Sequence, residues 1–329
     1  MSSPELSVIV ITLDTIQPLK RLLQALSRQT ARSRIEIVLA GPDDLSVDNA
    51  EHEFADFGGH QVIQCPGSLS TSVLRAVAIR AAKAPVIALT EEHCFPARHW
   101  AETFIERHRE DWAGVGGVFV NGNPATIASS TNFLIEYGPV AHPLPSGEIG
   151  LIAGHNSSYK RDVLLDNYGD RLEEMLDVEP AMQWDLQAKG HRFFNDDRAK
   201  AVHYNVSRFD ASVRLRFHCG RLFAGHRASR WRVLKRLAYT VASPLIPVVR
   251  LCRTWCNAHR IGMAGRFLRM SPLVALFLCL DGLGECVGYL AGPGRSLAEL
   301  EDMEMHRERF LHPQDRPQYL QHCLEAASE

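Results

Sequence analysis

Three apolar runs decide what this chain can fold into. Leu6 to Thr12 reads LSVIVIT, Ile35 to Ala40 reads IEIVLA, and Val86 to Leu89 reads VIAL. None shows the strict alternation of a half-exposed strand, so each reads as a strand covered on both faces. Between them the period changes. Leu19, Leu22, Leu23 and Leu26 recur at helical spacing within Pro18 to Ser27, an alanine-rich helix is expected from Leu69 to Lys83, and another from Ala97 to Arg109. Val62 to Gln64 offers a further short strand. Strand–helix alternation of this kind predicts a doubly wound α/β sheet.

Farther along the signals weaken. Val115 to Val120 reads as a strand. Residues 121–150, rich in Gly, Pro, Ser and Asn, read as a mobile loop over one end of the sheet. Leu151 to Ala153 reads as a short strand, Arg171 to Lys189 as a helix broken at Pro180, and His191 to Phe194 and Lys200 to Tyr204 as separate extended pieces. From Arg214 the chain turns helical and basic, and residues 295–329 read as a polar surface helix and tail.

Charge is distributed unevenly. Arg208 to Arg269 holds fourteen Lys/Arg and one acid, Asp210, a local +13 that leaves −15 on the rest of a chain with a formal net charge of −2. Such a block calls for an anionic partner, either nucleic acid or membrane. The apolar runs Leu237 to Val249 and Leu273 to Gly292 beside it favour an anionic membrane surface. Neither spans well: the first is short and holds Pro244 and Pro247, and the second holds Asp281 and Glu285. An interfacial or re-entrant helix pair is expected. A nucleic-acid module is disfavoured, because few aromatics interleave the arginines and no recognition motif is visible. Eight cysteines without a CxxC pair, and a start that lacks a basic n-region, place the chain in a reducing, cytosolic setting with no signal peptide.

Chemistry-bearing residues collect at the strand ends, where α/β sheets bind ligands. The first strand leads into Thr12-Leu13-Asp14, the second into Asp43-Asp44-Leu45-Ser46-Val47-Asp48, and the fourth into Glu91-Glu92-His93; the alanine-rich helix carries Arg75. Acids and a hydroxyl along one sheet edge suit a nucleotide whose diphosphate needs a cation. The bland alternatives are a helix cap at Asp14, a turn at Asp48, a surface arginine at Arg75 and a structural histidine at His203.

In this order the features resemble the family 2 inverting glycosyltransferases of GT-A fold. Ile11 to Asp14 is similar to that family's Pro-Thr-Tyr-Asn strand end, and Asp43 to Asp48 to its Asp-Asp-Gly-Ser-x-Asp loop. Arg75 is the retained residue of an Arg-Asn-x-Gly helix. Glu91-Glu92-His93 stands at the acidic metal motif, and Gly154 to Arg161 resembles Gly-x-Asn-x-x-x-x-Arg. Val178-Glu179 with Gly190 resembles the catalytic acidic pair, and Val202-His203 the closing Val-x-His. Matching the strands instead sets Gly41-Pro42 at the acidic pair. The Gly284 to Gly294 region resembles the membrane-associated C-terminal segment of bacterial members.

The resemblance implies a GT-A type mixed sheet followed by a basic, membrane-associating helical segment. Residues 1–110 would form the nucleotide-sugar half, 111–207 the acceptor half, 208–294 the membrane segment and 295–329 the tail. It implies transfer of a sugar, with inversion, from a UDP-, GDP- or dTDP-sugar to a lipid-linked or polysaccharide hydroxyl at the cytosolic membrane face. Thr12, Asp14, Asp43, Asp44 and Arg75 would bind the nucleotide. Glu91, His93 and His203 would hold Mn²⁺ or Mg²⁺, and the histidines favour Mn²⁺. Glu92, Gly154, His155 and Asn156 would face sugar and acceptor, and Glu179 would be the general base. Val178 departs from the first acid of the pair, and the nearby Asp177 is an alternative base. These departures keep a second reading open, a catalytically degenerate membrane-associated partner protein.

Overall fold

A computed structural model describes residues 3–47, 50–67 and 70–325. Asp48 and Leu69 lie outside the described residues. The chain forms two compact units, one on residues up to Val120 with His142–His203, the other on Asn121–Ala141 with Tyr204–Gln321.

In chain order the elements are β1 (Leu6–Ile11), α1 (Lys20–Ser27), β2 (Ile35–Pro42), β3 (Gly59–Cys65), α2 (Thr71–Ala81), β4 (Val86–Leu89), β5 (Cys94–Pro96), α3 (Trp100–Arg107), β6 (Gly114–Asn121), α4 (Ile127–Tyr137), β7 (Gly147–Ile149), β8 (Ser157–Lys160), α5 (Arg161–Tyr168), α6 (Leu172–Leu176), α7 (Glu179–Ala188) and β9 (Phe193–His203). There follow α8 (Phe209–Arg227), α9 (Val233–Ala242), α10 (Ile246–Arg260), α11 (Ala264–Ala291), α12 (Ser296–Met305) and α13 (Arg316–Glu325).

The first unit is built on one sheet in the order β3-β2-β1-β4-β8-β6-β9-β5, with β7 against β9. β1 to β4 are mutually parallel, and every residue of β1 is buried, as an unalternating run requires. β8 runs against both β4 and β6, and β5 against β9. This is the doubly wound mixed sheet expected from the strand–helix alternation. Leu6, Val8, Val10, Leu22, Leu23, Leu26, Ile37, Trp100 and Phe104 share its main core.

Four local expectations need correction. Residues 121–150 are not a bare loop, because α4 occupies their middle. Thr126 caps it through Ser129 N–H (3.2 Å). The polar run that hid it, Ser129 to Asn132, is buried, and Asn132 donates to Val206 C=O and Ser212 Oγ, both at 2.8 Å. Leu151 to Ala153 forms no strand, because Ile152 N–H and C=O bond the Gln183 side chain at 2.9 and 3.0 Å instead of a ladder. Pro180 does not break a helix; it sits in the first turn of α7, where its missing N–H costs nothing, and the break falls before it. The two extended pieces at 191–204 are one strand, β9. Its charged centre is tolerated because buried Asp196 accepts from Arg107 and Arg198 at 3.0–3.1 Å.

In the second unit α11 packs closely on α8. A Cβ at Gly220 of α8 would strike the Asp281 backbone, and one at Gly284 or Gly288 of α11 would strike the backbone of Phe217 or Arg221. Small residues four apart let two helices approach to backbone contact. Among the described residues α11, of 28 residues, is the one helix long and apolar enough to cross a membrane; its most apolar 18-residue stretch has mean hydropathy 1.7, yet half of that stretch is buried within the protein. Its acids face inward: Arg250 of α10 donates to Asp281 (3.2 Å) and Glu285 (2.6 Å), and Tyr289 O–H to Glu285 (3.2 Å).

Burial outweighs the attraction of Arg216 and Arg250 and pushes the Asp281 carboxyl up to about 6. A carboxyl raised on folding binds its proton more tightly in the folded chain. Its stabilising contribution is therefore full below the unfolded value near 4 and is lost as pH rises through about 6. Wild type is expected to lose on the order of 3 kcal/mol relative to Asp281→Asn between pH 4 and 7.5, read as unfolding free energy by denaturant titration. A pH-independent difference would contradict this account.

Candidate active site

Topology gathers the site. β4 delivers Glu91 just past its carboxyl end. Because β8 runs antiparallel to β4, with Ser157 opposite Leu89, the residues entering β8 return to that same end. They are Gly154, His155 and Asn156. β9 runs against β5 with His203 opposite Cys94, so His203 arrives beside His93. α2, capped by Ser70 through Val73 N–H (3.3 Å), carries buried Arg75. α7 begins at Glu179.

Arg75 ties the parts together. One guanidinium nitrogen donates to Glu91 Oε1 at 2.9 Å, the other to Glu179 Oε1 at 3.0 Å. Glu179 reaches in because residue 154 is glycine: a Cβ there would lie 2.8–3.1 Å from the Glu179 carboxylate. Gln183, one turn along α7, fixes this register by bonding Ile152 and Tyr159 Oη (3.0 Å). Glu179 at the first position of a helix also lies in the favourable field of the helix amino terminus.

Around Glu91 stand three histidines. His93 Nε2 lies 3.3 Å and His155 Nδ1 3.2 Å from Glu91 Oε2. His155 and His203 stack with ring centroids 5.2 Å apart, and Phe119 covers both at 5.4 and 5.5 Å. Burial drives the Glu91 carboxyl up, but the charge and hydrogen bonds of His155 and His93 outweigh it and hold the group well below the usual carboxylate range. One donor atom each from Glu91, His155 and His203 lies within 4.8 Å of the others. A buried carboxylate and two imidazoles in that space are a donor set for a divalent cation, so the residues present fit one.

The remaining candidates fall elsewhere. Thr12 directly follows β1, is buried, donates to Thr15 C=O (2.9 Å) and accepts from Asp14 N–H (3.2 Å). Asp14, Asp43 and Asp44 are exposed in the loops after β1 and β2, on the same sheet edge. Glu92 is buried in the turn after β4. Asn156 is buried and its amide is taken: Oδ1 accepts from Trp100 Nε1 (2.6 Å) and Nδ2 donates to Val118 C=O (3.1 Å). What it lends the site is the placement of His155. Sequence reasoning missed Phe119 and Gln183. An apolar residue inside a strand and a glutamine inside a helix carry no local mark of such roles.

The mixed sheet and its helices are of the GT-A type. Residues 7–166 match the family model described as glycosyl transferase family 2, so this part of the chain is a family 2 glycosyltransferase domain and the protein is a glycosyltransferase. Glu179 and His203 lie beyond the matched residues. Among solved structures, the chain is similar to a mannosyltransferase from Pyrobaculum calidifontis in complex with GDP-Man and Mn²⁺, with 15% identity, a TM-score of 0.49, and coverage of 100% of this chain and 87% of that one. It is also similar to TarS (residues 1–349) of S. aureus in complex with UDP, with 17% identity, a TM-score of 0.45, and coverage of 87% and 90%. No curated protein matches by sequence.

Proposed function

We propose that the enzyme transfers a sugar, with inversion, from a nucleotide-diphosphate sugar to a hydroxyl of a lipid-linked or polysaccharide acceptor on the cytosolic face of a membrane. The observation that carries this reading is the Arg75 bridge between Glu91 and Glu179. It sets a carboxylate base beside a cation-binding group at the edge where the nucleotide loops open.

Glu91, His155 and His203 would hold a divalent cation, which would supply positive charge for the leaving diphosphate. Thr12, Asp14, Asp43 and Asp44 line the base and ribose end. Glu179 accepts the proton of the acceptor hydroxyl as that oxygen attacks the anomeric carbon on the face opposite the diphosphate, and a single displacement inverts the centre. Arg75 orients Glu179 and balances its charge. The reading is tested by thermal shift and turnover with UDP-, GDP- and dTDP-sugars: one nucleotide sugar should raise the midpoint, since a ligand of the folded state must. A well-folded protein that neither binds nor cleaves any of them would favour the degenerate-partner reading.

The membrane part rests on the second unit. Val233, Leu234, Leu237, Val241, Leu245, Val248 and Val249 of α9, the following turn and α10 are exposed, Leu234 and Val241 by about 80%. Leu234, Leu237, Val241, Leu245 and Val248 keep helical spacing, and Arg230, Arg232, Lys235 and Arg253 flank them, all exposed. An apolar stripe with basic flanks suits an anionic bilayer surface. Leu234→Glu with Val241→Glu is expected to weaken binding to phosphatidylserine-containing vesicles about 100-fold, at roughly 1.5 kcal/mol or more per lost side chain, measured by co-sedimentation. Unchanged partitioning would remove this face from the membrane contact.

A further inference from the structure

We propose that Ile152 and Gln183 are positioning residues for sugar transfer, and that together they set where the Glu179 carboxylate stands. The inference rests on the reading of Glu179 as the group that receives the acceptor proton, and deepens it.

Ile152 has a seat shaped to it. β6 begins Gly114-Val115-Gly116, and residues two apart in a strand face the same way. A Cβ at Gly116 would lie 2.7 Å from Ile152 Cβ and Cγ2, and one at Gly114 would lie 3.1 Å from Ile152 Cδ1. Glycine inside a strand weakens it and marks a close approach. Here the approaching group is the buried Ile152 side chain. The Ile152 backbone is held as well. Its N–H donates to Gln183 Oε1 (2.9 Å) and its C=O accepts from Gln183 Nε2 (3.0 Å). A carboxamide carries both an acceptor and a donor, so one buried side chain satisfies two backbone groups that have no strand neighbour. The same Nε2 donates to Tyr159 Oη of β8 (3.0 Å). Burial first, and then the charge of Glu179, push the Tyr159 hydroxyl above its ordinary range, so it stays neutral as a partner.

The clamp reaches Glu179 through register. Residues 179, 183 and 187 of α7 are four apart and share a face. Along that face the segment 150–154 runs antiparallel to the helix. A Cβ at Gly154 would lie 2.8–3.1 Å from the Glu179 carboxylate, Ile152 bonds Gln183, and a Cβ at Gly150 would lie 4.0 Å from Gln187 Nε2. Four helical residues rise about 6 Å and two extended residues advance about 6.6 Å, so the three contacts keep step. A displaced Ile152 would carry Gly154 with it, and with Gly154 the carboxylate it touches. α7 is docked independently of the clamp, by Tyr168 O–H on Met182 C=O (3.0 Å) and by buried Met182 and Leu186.

The test uses full-length protein and a panel of UDP-, GDP- and dTDP-linked hexoses and N-acetylhexosamines, with water as the acceptor. The water oxygen bonds the anomeric carbon, the bond to the diphosphate breaks, and Glu179 takes the proton. Gln183→Met is expected to lower kcat about 30- to 100-fold, with KM for the nucleotide sugar within about threefold of wild type, because misplacement by about 1 Å can cost 10²-fold. Gly116→Ala keeps every hydrogen-bonding group of Gln183, displaces Ile152, and should give the same split. Gln187→Ala, on the same helix face beyond the clamp, should keep wild-type kcat. Amide hydrogen exchange at residues 152–155 should quicken about 100-fold in Gln183→Met. Wild-type kcat in both Gln183→Met and Gly116→Ala would overturn the proposal, as would a raised KM with kcat retained, or an equal loss in Gln187→Ala. Should both variants fail to fold by circular dichroism, Gln183→Glu, which keeps the size and the acceptor for Ile152 N–H, decides on the same split. Cleavage of no sugar in the panel, with exchange quickened at 152–155 alone, would sink the proposed function and leave the clamp standing. Cleavage lost in Glu179→Gln but untouched in the Gln183 and Gly116 variants would do the reverse.

Discussion

Glu179→Gln is expected to lower the rate of sugar transfer by about 10³-fold while leaving nucleotide-sugar affinity within a few-fold of wild type, because general base catalysis contributes roughly 10²–10⁴. The substitution keeps size and one hydrogen-bond acceptor for Arg75, whose Nη1 lies 3.0 Å from the Glu179 carboxylate. A loss in kcat with KM retained is the signature of a group acting in the transition state. Asp177→Asn is the companion variant, since Asp177 is two residues away. Should Asp177→Asn abolish transfer and Glu179→Gln retain it, the base is assigned to the wrong residue.

Arg75→Met carries the second large effect, in stability as well as rate. Side chains of Arg75, Glu91 and Glu179 are 10%, 5% and 20% exposed. Removing one partner of a buried ion pair leaves uncompensated charge and costs about 3–5 kcal/mol. Here one arginine serves two carboxylates, so the loss should sit at the upper end. The double variant Arg75→Met with Glu179→Gln removes part of the stranded charge and should recover about 1–2 kcal/mol, a coupling that urea unfolding resolves. Independent, additive effects would mean that the bridge holds nothing in place.

Much of the fold was legible because strands covered on both faces announce themselves. LSVIVIT, IEIVLA and VIAL became β1, β2 and β4 with shifts of no more than two residues at any end. Elements whose polar residues are satisfied by distant partners were not legible. α4 hides in Ser-Ser-Thr-Asn because Val206 and Ser212, far along the chain, accept from Asn132. β9 hides behind Asp196, whose charge is balanced by Arg107, 89 positions earlier. The site divides the same way. Glu91 and His93 stood out as charges at a strand end, Arg75 as the cation of the alanine-rich helix and Glu179 through the family resemblance, and the structure brings them within one another's reach. His155 was singled out through the resemblance as a sugar or acceptor contact, and the structure places its Nδ1 3.2 Å from Glu91 Oε2. That proximity depends on β8 running back against β4, a pairing that spacing alone does not encode.

The path of the chain bears on how the protein can be dissected. α4 leaves the sheet after β6 and belongs with the helices that follow Tyr204. Leu134 packs with Ala258, Phe267, Met270, Val274 and Leu278, and buried Arg216 pairs with Glu136 at 2.6 Å. Cutting after β9 would therefore do more than remove a C-terminal appendage. It would strip every one of these partners from a helix spliced into the middle of the transferase sequence, and leave Leu134 and a Glu136 carboxylate bare in the truncated piece. A fragment that keeps α4 is therefore expected to need the helices to at least Leu278.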